Sequence, residues 1–340
     1  MRLAVAVVTW NGGPYVGSCL QSLVMQSSCP DVLVLDNASA DDTVEIIRRF
    51  AEGFASRHAR LDVIVESENS GFTIGANRAL RVLLSAEDRY DAITVLNQDV
   101  VLAPDWLTSV QDLLVRSPDV GAIGTKTFHS DGITVQHAGG YLSRPRLVGL
   151  HYGQHEVAKP GCDDTERDVE FVTGAVITLR VACLRQVGLF DEIFAPGYYE
   201  DVDLCARIRA AGRRVVFCPG AQARHVESAS FTDRGERFLL SHRNRLIFAM
   251  SHLAEDSFAA EFYEAERAAL AREPFEVLRA LSLAYLQTSL RVRDIAEARL
   301  PSARRRRSVV AGIVKLLERL REDSVAEIQR RRGSEVERVS

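Results

Sequence analysis

LAVAVVTWNGGPYVGSCLQSLVMQSSCPDVLVLDN, residues 3 to 37, holds two short β-rich runs with a helical pattern between them. LAVAVVT (3–9) and DVLVLD (31–36) read as strands, and Pro14 to Met25 reads as a helix with proline in its first turn. The same unit recurs down the chain: Asp41 to Phe50, DVIVES (62–67), Thr73 to Leu84, DAITVLN (91–97) and Pro104 to Val115. Four strand-then-helix units in a row predict an α/β protein with a doubly wound, mostly parallel sheet flanked by helices. Ligands of such sheets bind at the carboxyl ends of the strands.

Those ends are polar. The four runs finish in Thr9-Trp10-Asn11, Asp36-Asn37, Glu66 to Asn69 and Asn97-Gln98-Asp99, and four such ends on one sheet edge make a crevice. Asp41 reads as a helix start, but capping by Asp41 or Asn69 accounts for only some of these groups. In VLNQDVVL (95–102) the apolar run ends in three polar residues of which Asp99 alone is a carboxylate, one acid fewer than a metal site built from paired strand-end acids.

After about Gly121 the alternation stops. Segment 121–165 is rich in Gly and His and predicts loops with short antiparallel strands. VEFVTGAVITLR (169–180) reads as one strand with Gly174 as a close backbone approach. Val181 to Val187 reads as a short helix, Tyr199 to Ala211 as a longer one closed by Gly212, and VVFC (215–218) as a strand. Beyond Phe231 the pattern is helical: Phe238 to His252, Ser257 to Ala271, Pro274 to Ala298 and Val309 to Arg332, with breaks at Pro274 and Pro301.

The 340 residues carry a net charge of −4 and six scattered cysteines without a C-x-x-C pair. With no signal-peptide pattern at Met1, these predict reduced thiols, mostly in the core, of a cytoplasmic protein. No apolar run approaches the roughly 20 residues needed to span a bilayer, so any membrane contact would be peripheral, at the inner face. Residues 301–340 hold 11 Lys and Arg against 6 Asp and Glu, densest at Arg304 to Arg307 and Arg330 to Arg332. Such a helix suits an anionic membrane surface or simply solvent. TWNGG stands where a G-x-G-x-x-G would follow the first strand, and no G-x-x-x-x-G-K-[ST] occurs, which argues against a nicotinamide dehydrogenase and a phosphate-loop hydrolase.

GYYEDVDLCARIRAAG (197–212) places Glu200, Asp201 and Asp203 in the first turn of a helix behind Tyr198 and Tyr199. Acids there gain from the helix dipole, yet three exceed what capping needs, and clustered carboxylates in a crevice shift one another's pKa. Trp10, Trp106, Phe190 and Phe194 read as core or pocket wall. His129, His137, His151 and His155 are too irregularly spaced for a metal cluster, and His137 with Gly139-Gly140 is placed near an acceptor.

The order VVTWNGG, VLDNASADDT, ENSGFTIGAN, LNQDVVL, FVTGAVITLR with VGLFDEIF, YYEDVDLCARIRAAG, then His225 resembles the family 2 glycosyltransferases of GT-A fold, and within them the bacterial rhamnosyltransferase and galactofuranosyltransferase branch. The resemblance runs from about Leu3 to about Arg245. It implies a catalytic domain over 1–230 (nucleotide-sugar half about 1–120, acceptor half about 121–230), a helical extension over 231–300 and a basic amphipathic helix over 301–340.

The resemblance also implies roles. Thr9, Asn11 and Asp36 would hold the base and ribose of a nucleotide sugar, and Asn69, Gly71, Asn77 and Arg78 would line the nucleotide. The family's metal motif falls on Asn97, Gln98 and Asp99: Asp99 would bind Mg2+ or Mn2+ together with His225 and the donor's diphosphate, with Asn97 and Gln98 facing the donor. Arg243, followed by Asn244, resembles an R-N pair near that diphosphate. Asp201 would be the general base of an inverting displacement, with Glu200, Asp203 and Tyr199 binding acceptor hydroxyls or orienting the base.

The expected donor is dTDP-L-rhamnose, with UDP-sugars as the alternative, and the expected acceptor a cell-surface glycan, a lipid-linked saccharide or a small molecule. The tail would serve peripheral membrane contact or a homodimer, and no nucleic-acid partner is expected. A non-catalytic nucleotide-sugar-binding relative is the reading from another class. A sugar nucleotidyltransferase is a third, but its glycine-rich basic first loop is missing.

Overall fold

The computed structural model describes residues 1–86, 89–158, 165–226, 234–253, 257–299 and 303–339. Cys162, the Pro301 break and the end of the QARHVESAS motif lie outside the described residues, as do the side chains of Arg304 to Arg307. The chain divides into two compact units, Met1–Tyr141 with Gly149–Ser230, and Leu142–Val148 with Phe231–Ser340.

The first unit is built on β1 (Leu3–Thr9), α1 (Gly13–Val24), β2 (Asp31–Asp36), α2 (Thr43–Arg49), α3 (Ala51–Ser56), β3 (Leu61–Val65), α4 (Phe72–Ser85) and β4 (Ala92–Asn97). β4, β1, β2 and β3 pair in parallel in that order. Every side chain of β1 is buried, as a strand covered by helices on both faces demands. Register then aligns the polar ends: Thr9 stands beside Asp36, and Val8 beside Asn97.

The chain continues through β5 (Val100–Leu102), α5 (Trp106–Arg116), β6 (Val120–Phe128), β7 (Val135–His137), β8 (Gly140–Ser143), β9 (Val148–His151), β10 (Arg167–Asp168), β11 (Val176–Arg180), α6 (Val181–Val187), a 3-10 turn at Glu192–Phe194, α7 (Glu200–Ala210) and β12 (Arg214–His225); β8 and β9 pair separately as a two-stranded sheet, and the other strands join the main sheet. Its order is β10-β12-β6-β11-β4-β1-β2-β3, with β5 on β12 and β7 on β6. β11 runs antiparallel between β4 and β6, so the sheet is mixed. Val5, Val34, Leu96, Trp106, Ile123, Val176 and Val216 belong to one apolar cluster that holds strands and helices together.

Three expectations change. Val120–Phe128 is a nine-residue interior strand, where short strands and loops were expected. Its glycines hid it: a Cβ at Gly121 would sit 2.8 Å from Cys183 Sγ, and one at Gly124 would sit 2.3 Å from Val172 Cγ1, so the packing requires them. The strand expected over 169–180 is confined to Val176–Arg180, because the amides of Thr173 and Gly174 bond to side chains of His137 and Asp201 instead of to a neighbouring strand. VVFC is only the start of β12, which shifts register against β6 between Cys218 and Gln222, around Pro219 and Gly220, and resumes to His225.

The second unit is helical, with α8 (Arg234–His252), a π turn at Phe258–Phe262, and helices Tyr263–Ala269, Phe275–Arg299 and Ala303–Val339. Ile313, Leu317, Leu320 and Ser324 fall at helical spacing on the last helix and are buried. The tail's apolar stripe is thus already covered, and Arg331 is tied to the carbonyls of Ala271 and Glu273. At the centre of the unit lies Glu266, fully buried, with Arg245 Nη2 at 2.5 Å, Arg146 Nε at 2.8 Å and the Tyr285 hydroxyl at 2.9 Å. Burial alone would raise the Glu266 pKa, but the Arg245 and Arg146 charges outweigh it and hold the carboxyl down at about 2.

Glu266→Gln would leave Arg245 buried without its counter-charge, and urea unfolding is expected to show a loss of about 3–5 kcal/mol. Since the folded pKa lies below the unfolded one, the contribution of Glu266 is present above pH ~4.5 and fades as pH falls toward ~2. The variant should therefore lose that part of the acid dependence of stability.

Candidate active site

The turn between β4 and β5 carries Gln98 and Asp99. β5 pairs antiparallel with β12 so that Val100 faces His225, and the Val226 amide donates to the Asp99 carbonyl at 3.1 Å. This register sets His225 Nε2 3.2 Å from Asp99 Oδ1, with both side chains buried. On the far side of the ring, His225 Nδ1 lies 2.8 Å from Gln136 Oε1. An amide oxygen only accepts, so Nδ1 carries a proton toward Gln136, and Nε2 is the ring atom turned toward the Asp99 carboxylate.

Positive charge between Nε2 and the carboxylate, whether a proton on the ring or a metal ion, stabilises this buried pair. Donors held cis by one octahedral ion with bonds of ~2.1 Å lie about 3 Å apart, so the 3.2 Å pair suits Mg2+ or Mn2+. Among the described residues no group of three or more His, Cys, Asp or Glu could hold a metal ion. A cation at this pair would draw its other ligands from water and a bound phosphate.

Some 100 residues further on, α7 opens with Glu200 and Asp201. Tyr198 (φ 74°) and Tyr199 (φ 69°) are both left-handed just before it, a conformation bulky residues rarely adopt. The Tyr199 hydroxyl is tied down by the Gly149 amide at 3.0 Å. Asp201 is half-buried, its Oδ2 accepting from the Gly174 amide at 2.7 Å and its Oδ1 from the Val202 amide at 2.8 Å. Glu200 is only 4% exposed and its Oε2 has no hydrogen-bond partner. Burial, and then the Asp201 charge, push the Glu200 pKa well above the usual carboxylate range. Burial also raises Asp201, against the opposing pull of the backbone N–H groups. Both carboxyls of the pair are therefore pushed up, Glu200 further than Asp201, which retains the backbone N–H groups that favour its charged form.

Asp203 lies beneath the helix start. It is fully buried and accepts from Arg207 Nε at 2.8 Å, one turn along the helix, while the same guanidinium donates to the carbonyls of Val187 and Leu189. It fastens α7 to the chain before it.

The ENSGFTIGAN stretch packs against the loop before α7. Asn77 is buried, donates to the Phe190 carbonyl at 2.8 Å and to Glu192 Oε1 at 3.1 Å, and accepts from the Phe190 amide at 3.1 Å. Gly71, at φ 84°, abuts Pro196, where a Cβ would come within 2.5 Å of the proline Cβ. The Thr73 amide reaches the Pro196 carbonyl at 3.2 Å. Gly71 and Asn77 therefore latch the FDEIFAP loop that leads into α7. Asn69 caps this turn by accepting from the Gly71 amide at 2.9 Å, and Arg78 pairs with Glu66 at 2.7 Å.

At the other strand ends, Thr9 donates its hydroxyl to Gln98 Oε1, which also accepts from the Trp10 amide, while Gln98 Nε2 donates to the Trp10 carbonyl. The Gln98 amide thus braces the loop after β1. Asp36 is buried with both oxygens bonded to Ser39, whose hydroxyl accepts from the Asn11 amide; Asn11 Oδ1 takes the Ala40 amide. Asn97 is half-buried at the end of β4, and its carbonyl accepts from Cys19 Sγ. Arg243 sits on α8 in the second unit, half-buried and donating to Asn244 Oδ1 at 2.9 Å.

Gln136, Thr173 and the His137–His151 pair escaped sequence reasoning. His137 is buried, its Nδ1 2.5 Å from His151 Nδ1 and its Nε2 3.4 Å from the Thr173 amide, next to the Gly174 amide that holds Asp201. His129 and His155 stack as a second pair. Spacings of 14 and 26 residues gave no signal of either.

Residues 1–246 match the model of the family described as glycosyltransferase like family 2. An uncharacterized protein of Sinorhizobium fredii is 31% identical over 59% of this chain, which spans only 21% of that protein's length. The N-acetylglucosaminyl-diphospho-decaprenol L-rhamnosyltransferase of Mycobacterium tuberculosis is 28% identical over 72% of this chain and 83% of its own. A structure of GalNAc-T7 with UDP, GalNAc and Mn2+ superposes with a TM-score of 0.57 at 12% identity, over 81% of this chain and 51% of that one. Fold and kinship together define a glycosyltransferase of GT-A fold. The chain belongs to glycosyltransferase family 2.

Asn77→Ala removes both bonds to the Phe190 backbone and leaves that buried amide unpaired. Urea unfolding should show a loss of about 1–3 kcal/mol, whereas an unchanged midpoint would mean that the latch contributes nothing to the fold.

Proposed function

We propose that this glycosyltransferase moves L-rhamnose from dTDP-L-rhamnose to a hydroxyl of a cell-surface glycan or lipid-linked saccharide, with inversion and with the help of a divalent cation. The carboxyl pair at the head of α7 carries the reading of the chemistry. Asp201, fixed by two backbone N–H groups and strengthened as a base by burial, would take the acceptor proton as the acceptor oxygen attacks the anomeric carbon opposite the leaving diphosphate. Glu200, buried and with its pKa pushed up by burial and by the Asp201 charge, would disfavour a second negative charge beside the attacking hydroxyl.

Asp99 and His225 would hold the cation. When bound, it neutralises charge developing on the departing phosphate. Asp36 and Asn11, drawn together through Ser39, shape the strand-end rim where base and ribose would rest. The name of the mycobacterial relative supports rhamnose over other sugars. No helix among the described residues is long and apolar enough to cross a membrane, so a lipid-linked acceptor would be reached from the bilayer surface.

The test is a panel of dTDP-, UDP- and GDP-sugars scored for thermal stabilisation and transfer, in which dTDP-L-rhamnose should lead. A UDP-sugar that outperforms it would move the donor assignment, and strong binding without turnover of any donor would favour a non-catalytic relative. Asp201→Asn should lower kcat by about 10²–10⁴-fold with donor affinity largely kept; retained turnover would place the base elsewhere. Because the folded Asp201 pKa is raised, transfer should fall as pH drops through a value above the ordinary aspartate 3.8. Asp99→Ala should abolish the metal dependence of donor binding in calorimetry, and an undiminished Mn2+ effect would relocate the metal.

A further inference from the structure

We infer that Gln136 is the positioning residue of the cation site, fixing the His225 ring so that Nε2 joins Asp99 in facing the metal. This role presupposes the metal-assisted transfer proposed for the chain. The two strands that meet at the site make Gln136 the natural partner of this ring. β7 pairs with β6 through Thr127 with His137 and Phe128 with Val135, and the register shift between these pairs leaves Gln136 as the extra residue of a bulge. Bulges re-aim side chains. On the other edge of β6, Arg224 of β12 pairs with the same Phe128, so His225 is the next residue along. The Gln136 side chain reaches across the end of β6 to His225 Nδ1 at 2.8 Å, with both residues 8% exposed.

The ring has two nitrogens and two neighbours. An imidazole ligates through one nitrogen while the other donates a proton to an outer acceptor, and that outer bond sets both ring orientation and donor strength. Here Gln136 Oε1 takes the Nδ1–H, which leaves Nε2, 3.2 Å from Asp99 Oδ1, as the ligating atom. A neutral amide suits the task beside a carboxylate that also faces the ion, because it adds no further negative charge to a buried pair.

Binding of Mn2+ to the full chain, followed through the electron paramagnetic resonance signal of the free aqueous ion at saturating dTDP and, separately, UDP, tests this without turnover. Gln136→Met keeps an unbranched side chain but lacks the amide acceptor; it should weaken Mn2+ binding about 10–100-fold. Gln136→Glu restores an acceptor at the same reach and should bind within about threefold of the wild type or more tightly. Calorimetry with dTDP or UDP and no metal should show the same nucleotide affinity in all three proteins. Wild-type Mn2+ affinity in Gln136→Met would overturn the assignment, as would equal weakening in both variants, which would mark a packing effect. A wild-type chain that binds no Mn2+ with either diphosphate would overturn the metal-assisted reading itself, and the role of Gln136 with it.

Discussion

The pairing of Val100 with His225 is the constraint on which the centre depends. β5 has three residues, yet its antiparallel bond to the end of β12 decides which imidazole stands beside the Asp99 carboxylate. A slip of one residue in this register would turn His225 to the opposite face and remove the pair. The long β12 runs along β6 on both sides of its break around Pro219 and Gly220, and so carries His225 to Asp99.

A second constraint fixes the head of α7, where Asp201 stands. α7 begins without a side-chain cap and after two left-handed tyrosines, so its position is set from outside. Asn77 grips Phe190, Gly71 receives Pro196, Arg207 ties Asp203 to the chain before the helix, and Gly174 presents its amide to Asp201. A motif that resembles a nucleotide-binding stretch therefore acts through the loop it anchors. Rigid placement of a base by backbone and buried amides is what a displacement at a sugar carbon needs, because a small misplacement carries a large rate penalty.

Much of the fold was legible because its signals are local. Buried parallel strands read as apolar runs, and the helices between them show their periodicity within a dozen residues. Val120–Phe128 was obscured by glycines that the packing against Cys183 and Val172 demands, and the strand starts only at Val176 because the Thr173 and Gly174 amides bond to side chains that are distant in sequence. The site followed the same pattern. Glu200 and Asp201 announced themselves by adjacency. Asp203, three residues from Glu200, could not be told apart from them until Arg207 was seen to hold it.

The sequence by itself determined the α/β architecture, the edge of the sheet that carries polar groups, the family and the identity of the acids and histidine brought forward, since each of these is written in runs and motifs of neighbouring residues. Only the tertiary structure decided which of them meet. Asp99 and His225 are joined by a strand register, Gln136 by a bulge, and Asp201 by an amide 27 residues away, while Asn77 and Gly71 meet the loop before α7. Hydrogen bonds of a few ångströms between residues tens to more than a hundred positions apart leave no trace in local pattern, because only the folded chain brings donor and acceptor together.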